Sequence, residues 1–388
     1  MFDPSWSSLG LTGVAARLAM AQRPEDLFGG LDGDRAAQLD RIYGIYRQLA
    51  LAVHPDRHAS EPLAQTAFQN LQHLYTLAKQ QVLGWQSVTD GPVTITSRRA
   101  AYTIQDVLAE GDLAVLYTAM RTASSGNAAG GASCEPVVLK VAGDGLDNDL
   151  IQNEASALRQ LHGAASGSPA PPYLPRLAES FICRDASGVE RAANVFPLVQ
   201  TAQGSLPARE FVTLRELRAA YPAGLDPRHM AWIWRRVLIA LGHAHGRGIV
   251  HGAVLPEHLL IHPADHGLLL VDWSASVNLQ QTPGAPVPVI SPDYEGWYPA
   301  RVLARKPARP AVDLLMGLRC MTYLLGGEPL TGELPTSVPA PLQAYLRGAL
   351  HLGLAGLDAA RLYRDFSDLL ARLWGQRRFI PLTMPARS

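Results

Sequence analysis

The chain has 388 residues, of which 47% are hydrophobic and 18% charged. That is enough apolar material for packed cores in two or three domains and excludes bulk disorder. With 34 basic and 34 acidic residues the formal net charge is zero, which argues against an electrostatic grip on nucleic acid or on an anionic membrane. The three cysteines, Cys134, Cys183 and Cys320, are isolated, which excludes a disulfide framework and suits a reducing cytoplasm. Asp3, with no basic stretch around it, speaks against a secretory signal, and the longest apolar runs are broken by Arg235, Arg236 or proline, so no membrane span is expected. Only Lys79, Lys140 and Lys306 are lysines. An arginine bias with abundant Ala and Gly points to a GC-rich bacterial genome.

Residues 1–22 read as a peripheral segment with one amphipathic helix from Leu9 to Met20. A helical unit follows over 23–85. Pro24-Glu25-Asp26 is a helix start, Phe28 its apolar anchor and Gly29-Gly30 its stop. Leu39, Ile42, Tyr46, Leu49 and Val53 recur at spacings of three and four and predict one helix face; Phe68, Leu71, Tyr75, Ala78 and Val82 predict a second. Neither stripe is stable in water alone, so the two helices pair as an antiparallel hairpin about a polar loop at His54-Pro55-Asp56.

This unit resembles a J-domain. The run from Tyr46 to Asp56, Y-R-Q-L-A-L-A-V-H-P-D, matches the family's second helix and its HPD tripeptide, and Phe68 to Tyr75 follows its third-helix pattern. J-domains bind a DnaK-type heat-shock chaperone and stimulate its ATP hydrolysis. The resemblance assigns that contact to His54, Pro55 and Asp56, with Arg47 and Arg41 on the second-helix surface. The helix is more sparsely charged than is usual in the family.

Residues 86–98 read as a linker, with the turn Asp90-Gly91-Pro92 separating helical from strand-like sequence. Tyr102–Leu108 and Leu113–Met120 read as strands flanking Ala109-Glu110-Gly111-Asp112. Pro136–Val141 reads as a buried strand carrying Lys140. The next helix has Leu150, Glu154, Leu158 and Leu161 on one face, which places a carboxylate in an apolar stripe where it needs a partner; Lys140 is the expected one. Leu174–Cys183 and Ala192–Val199 complete a small sheet. Asp226-Pro227 opens a helix whose apolar face is Met230, Ile233, Trp234, Val237, Leu238 and Leu241. Two runs, Leu259–Ile261 and Leu268–Val271, flank the turn His262–Gly267 as a hairpin, with His251 before it and Asp272 at its end. Asp313 followed by Leu314–Leu325 predicts a central helix, and 341–374 two or three amphipathic ones.

From about 99 onward the order of these features resembles a protein kinase, with an N-lobe over 99–200 and a C-lobe over 201–388. The family run H-R-D-L-K-P-E-N falls on His251 to His258, and D-F-G on Asp272-Trp273-Ser274. Lys140 and Glu154 correspond to the family's strand-lysine and helix-glutamate pair, and Gly111 to the one survivor of its glycine-rich loop. The resemblance implies ATP with magnesium near Lys140, Glu154, Gly111 and Asp272, the last as metal ligand. However, Ala253 stands where the family has the Asp that accepts the substrate's hydroxyl proton, and His258 where it has a metal-binding Asn. Gly252 replaces the arginine that receives an activating phosphate.

The fold expected is therefore α+β: an N-terminal all-α J-domain hairpin followed by a two-lobed kinase-like fold. The function expected is a cytoplasmic co-chaperone for a DnaK-type chaperone, with a degenerate kinase-like part that binds a client or partner. Two alternatives remain on this reading. One is an unorthodox Ser/Thr kinase using Lys140, Glu154 and Asp272, with Glu257 as a relocated base; the other is a nucleotide-gated binding module using the same three residues.

Overall fold

The computed structural model describes residues 10–31, 35–53, 61–83, 93–123, 134–163, 169–184, 188–201, 204–376 and 378–384. The main break between its two units falls at Val93 and Thr94.

Among the described residues, the first unit holds four helices: α1 (Leu11–Met20), α2 (Pro24–Phe28), α3 (Arg35–Val53) and α4 (Pro62–Leu83). Pro24 presets the first turn of α2, and Asp26 Oδ2 accepts the backbone N–H groups of Gln22 and Arg23 at 3.1 and 3.0 Å. Helix α2 stops at Gly29, whose φ of 75° suits only a residue without Cβ. The two expected stripes meet: Ile42, Leu49 and Val53 of α3 share a core with Leu71, Leu74 and Ala78 of α4. The rings of Tyr46 and Tyr75 stack at 4.1 Å within that seam. Helix α1 departs from expectation. It is not peripheral, because Val14, Ala15 and Leu18 are buried in the same core as Phe28. Its apolar residues had no partner in sight within the first 22 residues; α3 and α4 supply one.

The second unit opens with a sheet of order β1-β2-β3-β4-β6-β5, made from β1 (Thr94–Thr96), β2 (Ala100–Glu110), β3 (Ala114–Ala123), β4 (Cys134–Ala142), β5 (Glu179–Arg184) and β6 (Glu190–Pro197). The sheet curls: the Tyr102 ring of β2 stacks on Phe181 of β5 at 5.6 Å, and the Tyr102 hydroxyl donates to Glu179 at 2.5 Å. Tyr117, Leu139 and Val195 fill the concave side. Helix α5 (Asn148–His162) covers part of the opposite face. Its buried stripe begins at Ile151 and continues through Glu154, Leu158 and Leu161, whereas Leu150 lies outside it. The shift arises because a 3-10 turn at Gly145–Asp147, capped by Asp144, precedes the helix.

A two-stranded ribbon, β7 (Gln200–Thr201) with β8 (Gly204–Ser205), leads into the helical half. There β9 (Val212–Thr213) precedes α6 (Leu214–Ala220) and α7 (Pro227–Gly246). Asp226 Oδ1 accepts the Arg228 N–H at 2.8 Å to start α7, and all six residues of its expected face are buried. Then follow β10 (Ile249–Val250), the hairpin β11 (Leu259–His262) and β12 (Gly267–Leu270), and β13 (Val277–Asn278), which pairs with β10. Helices α8 (Ala300–Leu303), α9 (Pro310–Leu324), α10 (Ala340–Gly356) and α11 (Ala359–Trp374) complete the chain order. Helix α9 begins three residues before Asp313, so that Asp313 sits inside its first turn and is fully buried.

The hairpin is clamped at its turn. His266, at φ 52°, lies between the Trp232 ring at 4.4 Å and the Phe379 ring at 4.2 Å. That fixes the start of β12, and Asp272 follows the other end of the strand.

Candidate functional site

Four elements converge on one cluster in the second unit. Strand β4 brings Lys140, helix α5 brings Glu154, the turn after β12 brings Asp272 and Ser274, and the loop before β11 brings His258. Lys140 Nζ lies 3.1 Å from Glu154 Oε2 and 3.0 Å from Asp272 Oδ1, and it donates to Ser274 Oγ at 3.1 Å. All three of its N–H donors are thereby engaged. The expected Lys140–Glu154 pair is formed and buried, with side-chain exposures of 5% and 2%. Direct contact between Lys140 and Asp272 was not anticipated, since 132 residues separate them.

The electrostatics follow from burial. Burial pulls the Lys140 ammonium down, but the Asp272 and Glu154 carboxylates outweigh it and hold the ammonium above its ordinary value. Burial pushes Asp272 up, but Lys140 and then His258 hold its carboxyl far below the usual carboxylate range. Glu154 is further satisfied by the Trp273 N–H at 3.2 Å and the Asn194 amide at 3.0 Å. The pair is thus a finished buried network, the condition under which buried charge is tolerated.

Asp272 adopts a left-handed conformation, φ 60° and ψ 69°. Asp is among the few side chains that tolerate it, and its Oδ1 accepts the Ser274 N–H at 3.3 Å. Trp273 is wholly buried, its indole N–H bonded to the Leu270 carbonyl at 2.9 Å and its ring 4.5 Å from His251.

Asp313 organises the loop beneath. Its Oδ2 accepts the His251 N–H at 2.8 Å and its Oδ1 the Gly252 N–H at 2.9 Å, while His245 Nε2 lies 2.8 Å from Oδ2. This role was missed in the sequence, where Asp313 read only as a helix start. The available signal was the one acidic residue in a mostly apolar helix. His243 and His245 do not form a metal site: His243 meets the Leu161 carbonyl and His245 meets Asp313.

Gly252 is fixed by geometry. Its φ is 81°, and a Cβ there would lie 2.4 Å from the Ala275 carbonyl oxygen. No arginine, nor any other side chain, fits at this position without moving the Asp272 turn.

His251 accepts the Ala253 N–H on Nδ1 at 3.2 Å, so Nε2 carries the proton and donates to the Val271 carbonyl at 3.0 Å. Burial pushes this imidazole down to about 4 from 6.5, against a smaller upward pull from Asp313. The ring is neutral in the native state at pH 7, whereas in the unfolded chain it protonates below about 6.5. His251 therefore contributes stability that is fully present above pH 6.5 and is lost as pH falls toward about 4. The loss amounts to about 3 kcal/mol by linkage. Unfolding measured across that window should show this slope, and a His251→Asn variant should lack it.

Ala253 is buried and offers no acceptor side chain; its carbonyl accepts from His258 Nδ1 at 2.7 Å. Glu257, the candidate relocated base, has one oxygen engaged: Arg215 Nη1 lies 2.8 Å from Oε1 and the Tyr294 hydroxyl donates to Oε1 at 2.6 Å, while Oε2 is buried with no hydrogen-bond partner among the described residues. Gly111 does not sit in an open phosphate cradle. Strands β2 and β3 extend to Glu110 and from Ala114, and the Gly111 N–H donates to the Ala114 carbonyl at 3.0 Å to close the tight turn.

A magnesium ion, which a kinase-like fold implies, is not well matched here. A hard divalent cation wants several oxygen ligands. Among the described residues of the cluster, Asp272 is the more exposed carboxylate, and both its oxygens already face nitrogen. His258 presents imidazole nitrogen in place of amide oxygen. Among the described residues no three His, Cys, Asp or Glu side chains converge as metal ligands.

In the first unit, the guanidinium of Arg41 on α3 donates to the Gly30 carbonyl and to Gln38 Oε1. His54, Pro55 and Asp56 and the side chain of Arg47 lie outside the described residues.

Residues 26–81 match the DnaJ domain family model. The first unit thus carries a DnaJ domain match. One curated relative, Casein kinase II subunit alpha' of Saccharomyces cerevisiae (strain ATCC 204508 / S288c), is 30% identical over 94 residues, 24% of this chain. The match spans 27% of that relative's own length. Among solved structures, the chain is similar to mutant forms of the Mycobacterium tuberculosis PknI kinase domain. Two of these are 16% identical, with TM-scores of 0.49 and 0.48, covering 73% and 74% of this chain and 99% of theirs. No described helix of this DnaJ–kinase-like chain is long and apolar enough to cross a membrane.

Proposed function

We propose that this protein is a co-chaperone whose DnaJ domain recruits a DnaK-type chaperone and stimulates its ATP hydrolysis, while the kinase-like part holds a client or assembly partner without transferring phosphate. The DnaJ match over residues 26–81, with His54-Pro55-Asp56 between its two long helices, carries the first half of the reading. Ala253 carries the second. A general base must lie within hydrogen-bond reach of the proton it takes, and here that position is a methyl group whose backbone is bonded to His251 and His258. Glu257, held by Arg215 and Tyr294, is no substitute.

The test is single-turnover ATP hydrolysis by a DnaK-type chaperone with and without the full chain. The wild type should accelerate hydrolysis several-fold, and His54→Gln should remove the acceleration while leaving the thermal unfolding of the kinase-like part unchanged. Equal rates with wild type and variant would sink the reading.

A second reading, a binding module gated by nucleotide, is favoured by one observation: Lys140, Glu154 and Asp272 are assembled in one cluster. It requires a ligand to take Lys140 from contacts it already has.

A further inference from the structure

We propose that the cleft at Asp272 is closed to divalent cations by its own chain, the His258 imidazole standing where the cation would stand. This deepens the non-transferring reading above and rests on it, but it concerns a different property: what occupies the site.

The argument is a census of oxygens. Asp272 Oδ1 accepts from Lys140 at 3.0 Å and from the Ser274 N–H at 3.3 Å. Asp272 Oδ2 faces His258 Nε2 at 3.4 Å. The His258 ring is not free to leave, because its Nδ1 is anchored on the Ala253 carbonyl at 2.7 Å. The neighbouring oxygens are also taken. Ser274 Oγ accepts from Lys140 at 3.1 Å, and Asn153 bonds the carbonyls of Ser274 and Ser276, both at 2.9 Å. Glu154 spends one oxygen on the Trp273 N–H and the other on Lys140 and Asn194. A cation entering here would have to displace the ammonium from Oδ1 and enter the 3.4 Å gap between Oδ2 and the anchored His258 Nε2, and it would gain no second side-chain oxygen in return. A hard ion that dehydrates reluctantly has little to gain from that exchange.

The same geometry assigns a cause. Ala253 and His258 act as a pair. With only a methyl group at 253, the carbonyl of Ala253 is open to the ring, and the ring so anchored turns its other nitrogen to Asp272. The nitrogen that replaces the cation and the missing proton acceptor are thus one structural feature.

The experiment uses the intact chain and Mn2+ as the only probe. Free Mn2+ is followed by its electron spin resonance signal and thermal unfolding is followed in parallel, since an ion that binds the native state raises the melting temperature. Wild type should leave the Mn2+ signal undiminished at millimolar ion and show no rise in melting temperature. His258→Asn restores an amide oxygen and frees Asp272 Oδ2, and it should gain a saturable Mn2+ response that a further Asp272→Asn change removes. Saturable Mn2+ binding by wild type that Asp272→Asn abolishes would overturn the proposal. So would a folded His258→Asn variant with no gain, because the imidazole would then not be what closes the site. Mn2+ binding by wild type without phosphate transfer would defeat this inference alone and leave the co-chaperone reading standing.

Discussion

Lys140→Met should destabilise the kinase-like unit by about 3 to 5 kcal/mol, the usual cost of removing one partner from a buried ion pair. The substitution leaves two carboxylates, Glu154 and Asp272, facing each other's surroundings without the ammonium that neutralised both. A loss of that size is a large share of a typical domain's stability. Thermal or denaturant unfolding of the full chain, read at the transition of the larger unit, would measure it. The companion variant, Lys140→Met with Glu154→Gln and Asp272→Asn, removes the unpaired charge and should recover part of the loss. A Lys140→Met protein of unchanged stability that instead lost nucleotide binding would mean that Lys140 serves a ligand and not the fold.

Asp313→Ala should cost about 3 kcal/mol or more, for a different reason. Here the loss is of an acceptor. The backbone N–H groups of His251 and Gly252 both end on this carboxylate, and both are buried. Without it two donors are orphaned, each at about 1 to 3 kcal/mol. Asp313→Asn keeps one carbonyl oxygen and should lose less. Circular dichroism melts of the two variants beside wild type would rank them. If Asp313→Ala melts with the wild type, the loop from His251 to His258 is not held from below as described.

Both effects depend on contacts of very different legibility. The helix faces were plain in the sequence, because Ile42, Leu49 and Val53, or Met230, Trp234 and Leu241, repeat with the helical period and have only one way to be buried. The hairpin was plain from two apolar runs about a turn. Lys140 and Glu154 could be paired in advance because each was a charge in an apolar stripe and burial demands a partner. Asp313 could not be assigned its role, since accepting backbone N–H groups 61 and 62 residues away leaves no trace in spacing. The Lys140–Asp272 contact was hidden for the same reason. The bond from Arg41 to the Gly30 carbonyl left no trace in the spacing either. Helix α1 misled because its partners come later in the chain. In each case local pattern predicts that a group must be satisfied, and only the fold says by what.

On the function proposed, the second unit assembles Lys140, Glu154 and Asp272 and yet transfers no phosphate. The most direct measurement is transfer of labelled γ-phosphate from ATP by the full chain, to itself or to a general protein substrate, in Mg2+ or Mn2+, beside an Asp272→Asn control. The account predicts that wild type and control are indistinguishable. Transfer by wild type that disappears in Asp272→Asn would contradict it, and would require a proton acceptor other than residue 253.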